Sequence, residues 1–256
     1  MGSVGFPQTN IQLYRELRRH GYSPADLALV RRAYDLALRY SICAYRPSGK
    51  PNLDHLVGTA GILVSLQVPA EIVAAGLLHS IYAYGDFGHA QKDVSSAKRN
   101  LLQDEIGPEV EAYLVRYATL EWNYQTVPTI CDALETLDAT DRVVVLIRLA
   151  DRLEDHLDLG VLYCPNAEDR VRGIESEAPL IVEMGRRLGY PRLAAALEEV
   201  SAQVTSVRIP KELRNPSGQN RIYVVAPRSY GKRASQVILG ALKPTIERLT
   251  RLLRPR

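Results

Sequence analysis

The sequence contains few cysteines, and they do not lie at metal-binding spacing. Cys43, Cys131 and Cys164 are odd in number and widely separated, so neither a disulfide framework nor a structural zinc cluster is expected. No apolar run is long enough to cross a bilayer, and the first residues lack the pattern of a secretory signal peptide. These absences favour a cytoplasmic protein in a reducing compartment.

The sequence also lacks several catalytic signatures and most strand signals. It has no Gly-rich phosphate loop, no Gly-x-Ser-x-Gly elbow and no Cys/His nucleophile pair. Apolar residues recur mainly at helical spacing, for example over 53–66 and 141–157. Ser23-Pro24 marks a helix start, and Thr140 is expected to cap the helix that follows it. We therefore predict an all-α fold, with a helical domain over residues 1–207.

The charge is distributed unevenly along the chain. Residues 208–256 carry 12 Lys or Arg and 2 acids, whereas residues 1–207 carry 20 and 27. This basic C-terminal extension is predicted to contain a short strand over 221–226 and an amphipathic helix over 232–253. The helix can lie on an anionic membrane surface as a peripheral anchor. It can equally pack on the acidic body of its own chain or of a neighbour in a homo-oligomer.

Nucleic acid is not expected as a partner of this extension. Charge alone would allow it, but aromatic residues interleave with the basic ones only at Tyr223 and Tyr230. The extension is therefore left with the two interpretations above.

Two histidines and one aspartate are candidate metal ligands. His55, His79 and Asp151 lie in three separate apolar helical segments. Neutral imidazole and carboxylate suit zinc, manganese or iron. Their wide separation does not prove that they converge, and a lone histidine on an apolar helix is more often a packed core residue.

The sequence around these three residues resembles the hydrolase domain of the RelA/SpoT family. The segment 46–55 reads RPSGKPNLDH, 74–79 reads AAGLLH, 106–110 reads IGPEV and 149–153 reads LADRL. Their order and spacing agree with the family over roughly residues 10–200. The resemblance implies an HD-domain-like helical bundle. In that family one divalent metal, usually manganese, is held by two His and two Asp, and the enzyme removes pyrophosphate from guanosine tetra- and pentaphosphate.

The resemblance assigns roles to residues of the first motif and to the three candidate ligands. His55, His79 and Asp151 match metal ligands of the family. Arg46 falls near its basic substrate-contacting residue, and we predict that two further residues of this loop join it in binding a small anionic or phosphorylated substrate, namely Ser48 and Lys50.

Departures from the family pattern argue against ordinary alarmone hydrolysis. Ser80 stands where the family has the acid of its His-Asp pair. Ala83 and Tyr84 stand where it has a water-activating Glu-Asp pair, and neither is an effective base at pH 7. Asp155 replaces a substrate-contacting Asn with an anion.

Several nearby residues can compensate for these losses. Asp86 can serve as ligand or base, although Asp also favours turns. Tyr82 and Tyr84 can line a pocket and bind substrate, or simply pack. Asp155 lies one helical turn after Asp151 and can orient a ligand.

Two hypotheses about function follow. In the first, the protein is a divergent metal-dependent phosphohydrolase with Asp86, Tyr84 and Asp155 as candidate catalytic residues. In the second, it is a catalytically silent module that binds a ligand or a partner, tethered by its basic C-terminal helix.

Overall fold

The computed structural model describes residues 5–88, 92–216 and 218–226. Helices account for most of this part of the chain, which confirms the predicted all-α fold. Two 3-10 turns cover Leu157–Tyr163 and Lys211–Leu213, and two short strands, β1 (Ala44–Tyr45) and β2 (Tyr223–Val224), form a small sheet. The α-helices are α1 Asn10–Arg19, α2 Pro24–Ser41, α3 Asn52–Ser65, α4 Ala70–Leu78, α5 Ile81–Tyr84, α6 Ser96–Ile106, α7 Pro108–Thr119, α8 Thr126–Asp132, α9 Ala139–His156, α10 Ala167–Arg187 and α11 Pro191–Ser206.

Side-chain hydrogen bonds cap the starts of α2 and α9. The start of α2 is as predicted, because the Ser23 hydroxyl accepts from the Asp26 amide at 3.2 Å and the Asp26 carboxylate accepts from the Ser23 amide at 2.9 Å. The predicted cap of α9 at Thr140 is wrong. Asp138 has extended backbone angles, and its carboxylate accepts from the Asp141 amide at 2.7 Å.

The chain changes direction at the end of α2. The helix ends at Ser41, and Cys43 has a φ of 60°, a left-handed conformation that few residues other than glycine adopt. The chain then enters β1. This reversal directs the following loop, which carries Arg46, toward the candidate site.

The centre of the bundle is formed by α3 and α4. Both helices are apolar around most of their circumference, so they are buried on nearly all sides. Helices α1, α2 and α9 pack around α3, and α2 and α7 pack around α4. The small residues of α4 predict a close helix approach, and Gly76 confirms it, since a Cβ there would lie 2.4 Å from Cδ1 of Leu63.

A break in the chain follows α4 at the second histidine. Helix α4 ends at Leu78, and Ser80 has φ −98° and ψ 7°. The Ser80 carbonyl accepts from the amides of Ala83 and Tyr84, which starts the single turn of α5. His79 and Ser80 therefore lie at a helix junction instead of inside a continuous helix.

The chain divides into two compact units, Met1–Tyr223 and Val224–Arg256. The predicted domain boundary between residues 207 and 208 stays a prediction. The amphipathic helix predicted over 232–253 lies outside the described residues, and so does any membrane or oligomer contact that it would make. Within the described ranges, every helix is too short or too polar to cross a membrane.

We expect Gly76→Ala to destabilise the bundle by about 1–3 kcal/mol, because the added methyl group must displace Leu63 in a packed core. Gly173→Ala in α10 is the matched control. No atom lies within 4 Å of the position that a Cβ would take there, so better helix propensity should stabilise the protein by up to about 1 kcal/mol. Urea unfolding of both variants checks this, and equal stability changes would contradict the close approach.

Candidate metal centre

His55 lies on α3 in the centre of the bundle and is 0% exposed. Its Nδ1 donates a hydrogen bond to Oε2 of Glu154. Its Nε2 lies 3.0 Å from Oδ1 of Asp151. The second nitrogen of this buried ring is therefore directed at a carboxylate.

His79, at the end of α4, approaches the same carboxylate from another side. Its Nδ1 donates to the carbonyl of Gly76 at 2.8 Å. This bond leaves Nε2 as the acceptor nitrogen of the neutral ring, and that atom lies 3.5 Å from Oδ1 of Asp151. The two imidazole rings are 5.3 Å apart between centroids.

The geometry of these three side chains suits a divalent cation. One ligand atom from each of His55, His79 and Asp151 lies within 4.8 Å of the others. Ligands about 2.1 Å from a tetrahedral ion are about 3.4 Å apart, close to the observed spacing between His79 and Asp151. Both Nδ1 atoms are held by backbone or carboxylate oxygens, the arrangement that directs Nε2 toward a metal.

The charge states of these side chains also favour a bound cation. Burial would raise the pKa of Asp151, but His79, His55 and Arg46 hold it well below its usual range. Burial lowers the pKa of His79 to about 4, which keeps the ring neutral at pH 7. Burial and Arg46 also lower the pKa of His55, but Glu154 and Asp151 outweigh them and raise it to about 9. A metal ion at His55 therefore displaces a proton.

Tyr117 holds the second oxygen of the aspartate, a role that the sequence did not reveal. Its hydroxyl donates to Oδ2 of Asp151 at 2.9 Å. The guanidinium of Arg148 lies 3.6 Å above its ring and donates to the Tyr117 carbonyl at 2.7 Å. These contacts leave Oδ1 of Asp151 directed at the histidines. No motif marks Tyr117, since α7 carries it far from the other residues in sequence.

Glu154 is the second residue that sequence reasoning missed. It is 2% exposed, and it accepts from Lys50 Nζ through Oε1 and from His55 Nδ1 through Oε2. Gly58 makes room for it, because a Cβ there would lie 2.6 Å from Oε1. The available signal was helical spacing, which places Glu154 on the same face of α9 as Asp151.

Asp155 was predicted to orient a metal ligand, and the structure pairs it with Arg46 instead. Its Oδ1 lies 3.7 Å from Nδ1 of His55, beyond hydrogen-bond distance. The orienting role at His55 is thus filled by Glu154. Asp155 anchors Arg46 at the entrance of the site.

A cavity of about 310 Å³, called here the metal cavity, opens onto the cluster. His79, Ser80 and Asp151 line its inner end, and Tyr84 also lines it. Its acidic lining residues are Asp151 and Asp155, whereas five arginines border it. The cavity therefore favours anions; its arginines are Arg46, Arg148, Arg152, Arg170 and Arg221.

The residues predicted to bind substrate lie mostly next to this cavity. Arg46, Ser48 and Lys50 line a neighbouring cavity of about 290 Å³. Arg46 and Asp155 border both spaces. The predicted substrate loop is therefore placed beside the metal cluster.

Two predicted site residues, Asp86 and Tyr82, lie outside the lining of the metal cavity. Asp86 is exposed, its carboxylate accepts from the Gly88 amide at 2.9 Å, and it does not line the metal cavity. This is the turn role that Asp favours. The hydroxyl of Tyr82 donates to the buried carboxylate of Glu111 at 2.8 Å, so it is committed to a structural contact.

Comparison with known proteins gives one partial family match. A domain of unknown function, DUF6817, matches residues 44–121, which include both histidines of the cluster. This match leaves the segment that contains Asp151 uncovered.

Curated relatives are RelA/SpoT proteins at low identity. A probable GTP pyrophosphokinase of Mycobacterium leprae is 26% identical over 70% of this chain, and the GTP pyrophosphokinase rsh of Brucella melitensis is also 26% identical over 70%. The bifunctional (p)ppGpp synthase/hydrolase RelA of Mycobacterium tuberculosis is 25% identical over 75%. The chain spans 22% to 24% of the length of these relatives.

A solved structure described as a metazoan ortholog of SpoT that hydrolyzes ppGpp aligns with a TM-score of 0.44 and 18% identity. The alignment covers 71% of this chain and 96% of that one. The sequence comparisons thus agree with the resemblance that the motifs predict, over most of the helical part.

We expect Glu154→Gln to weaken manganese binding by about tenfold. Glutamine offers one acceptor oxygen where Glu154 uses two, so either Lys50 or His55 loses its partner. Calorimetric titration of the metal-free protein with manganese measures the change. Glu175→Gln, at an exposed position of α10, is the control. Unchanged affinity in Glu154→Gln would show that His55 needs no orienting carboxylate.

Proposed function

We propose that this protein is a divergent, metal-dependent phosphohydrolase-like enzyme that acts on a small phosphorylated substrate. The observation that carries the proposal is the convergence of His55, His79 and Asp151, with both imidazole Nδ1 atoms held, at the inner end of an arginine-lined cavity. The similarity to RelA/SpoT proteins, one of them named a (p)ppGpp synthase/hydrolase, supports phosphate chemistry as the class of reaction.

Each part of the site has a role in this proposal. His55, His79 and Asp151 would hold a divalent metal, which would supply an acidified water and neutralise charge on a phosphoryl oxygen. Glu154 orients His55, and Tyr117 orients Asp151. The arginines give the cavity a positive lining that attracts an anionic substrate, since guanidinium pairs well with phosphate.

Ordinary alarmone hydrolysis is not part of the proposal. Ser80 lines the metal cavity where the resemblance predicts a carboxylate, and Ala83 and Tyr84 supply no acid pair. Asp155 is an anion tied to Arg46. A different phosphorylated substrate is therefore proposed.

A second candidate function is a catalytically silent binding module. One observation favours it: among the described lining residues of the metal cavity, both acids are already engaged, Asp151 in the cluster and Asp155 with Arg46. No uncommitted carboxylate there can serve as a base. Binding of an anion without turnover would fit this arrangement.

Metal analysis and turnover separate the two functions. We expect the purified protein to take up close to one equivalent of manganese, zinc or iron, and to hydrolyse at least one member of a phosphoester and nucleotide panel. His79→Ala should abolish both, because it removes a ligand from the cluster. Metal uptake below about 0.1 equivalent would contradict the metal proposal. Metal uptake without turnover would support the catalytically silent binding module.

Ser80→Asp tests whether the missing acid limits the site. Ser80 is 8% exposed and lines the metal cavity next to His79. A carboxylate there adds a negative ligand, so we expect manganese affinity to rise by about tenfold or more. The same calorimetric titration measures it, with Ser80→Asn as the uncharged control of equal size. Weaker manganese binding in Ser80→Asp would show that this position does not face the ion.

A further inference from the structure

A segment near the end of the described chain borders the metal cavity. Residues 218–223, called here the strap, contribute Asn220, Arg221 and Ile222 to its lining. Arg221 also lines a second space, the outer cavity, of about 320 Å³. Arg221 therefore stands where the two cavities meet.

Contacts with the helical bundle fix the position of the strap. The ring of Tyr223 stacks on that of Tyr45 at 5.9 Å, and its hydroxyl accepts from Asn215 Nδ2 at 2.9 Å. Nη2 of Arg170 donates to the carbonyl of Asn220 at 3.0 Å. These contacts hold the chain on both sides of Arg221, which lines both cavities.

Most of the arginines around the metal cavity are already engaged. Arg46 pairs with Asp155, and Arg152 pairs with Glu177 at 3.1 Å. Arg148 donates to two backbone carbonyls, and Arg170 donates to Asn166 and Asn220. Arg221 is exposed and has no ion-pair partner within residues 5–88, 92–216 and 218–226. Of the five arginines around the metal cavity, Arg221 is therefore the one best able to bind a ligand.

The outer cavity carries a second cation beside Arg221. Nζ of Lys92 lies 5.2 Å from the centroid of the Tyr84 ring, and both residues line this space. The acid in its lining, Asp93, pairs with Lys98 at 2.8 Å. Tyr84 lines both cavities, so they adjoin at this residue.

We propose that Arg221 and Lys92 form an outer anion subsite that binds a second anionic group of the ligand. The inner anionic group of the ligand lies at the metal cluster, and this part of the inference rests on the proposed function. The contacts of the outer anionic group with Arg221 and Lys92 do not depend on the metal. The ligand is thus a small molecule with two separated anionic groups, and Tyr84 lies beneath the part that joins them. The strap supplies a specificity-determining residue from outside the helical bundle.

A series of inorganic phosphates of increasing length tests the subsite. Orthophosphate, pyrophosphate and tripolyphosphate are titrated calorimetrically into the full chain, both manganese-loaded and metal-free. We expect affinity to rise with length. Arg221→Gln should lower tripolyphosphate affinity by about tenfold, as for loss of one charge-assisted hydrogen bond, and leave orthophosphate affinity unchanged. Lys92→Gln should act in the same direction.

The control is Arg192→Gln, which removes an exposed arginine of α11 that lines neither cavity. The subsite is overturned if Arg221→Gln and Arg192→Gln bind tripolyphosphate with the same affinity. It is also overturned if Arg221→Gln loses equal affinity for all three anions. Failure of the proposed function is seen separately, as absence of manganese binding to the unaltered chain.

Discussion

The buried carboxylate of Asp151 is the constraint on which the site depends. A charge in the middle of a helical bundle is costly unless positive groups surround it. Arg46 and His55, whose pKa is raised to about 9, supply that positive charge, while the neutral ring of His79 faces the same carboxylate. Each is placed by a different element: the loop after β1, α3 and the end of α4. The packing of α9 against α3 and α4 therefore sets the charge balance as well as the core.

That balance extends outward through a chain of paired groups. Lys50 contacts Glu154, Glu154 contacts His55, and His55 faces Asp151. Such a network is stable only when each member is satisfied. The loop that carries Lys50 is thus coupled to the metal cluster, although it lies in the neighbouring cavity.

The sequence predicted those features that a local pattern or a motif carries. Helical spacing and the Ser23 cap predicted the helices, and the motifs predicted which histidines and which aspartate meet. Tyr117 and Glu154 were missed, because their roles arise from packing between α7, α9 and α3. Asp86 was expected near the site because of its position in sequence. Its turn with Gly88 keeps Asp86 at the surface. A local motif does not predict whether an aspartate forms a turn or enters a site.

The pairing of Arg46 with Asp155 has a consequence for the size of a ligand. This pair stands between the metal cavity and the space beside Ser48 and Lys50. A molecule that extends into both spaces meets this pair, and it has to part the two side chains and replace their contact with charges of its own. The size of a ligand and its charge are therefore linked at this point: a neutral molecule that spans both spaces would separate Arg46 from Asp155 and compensate neither of them.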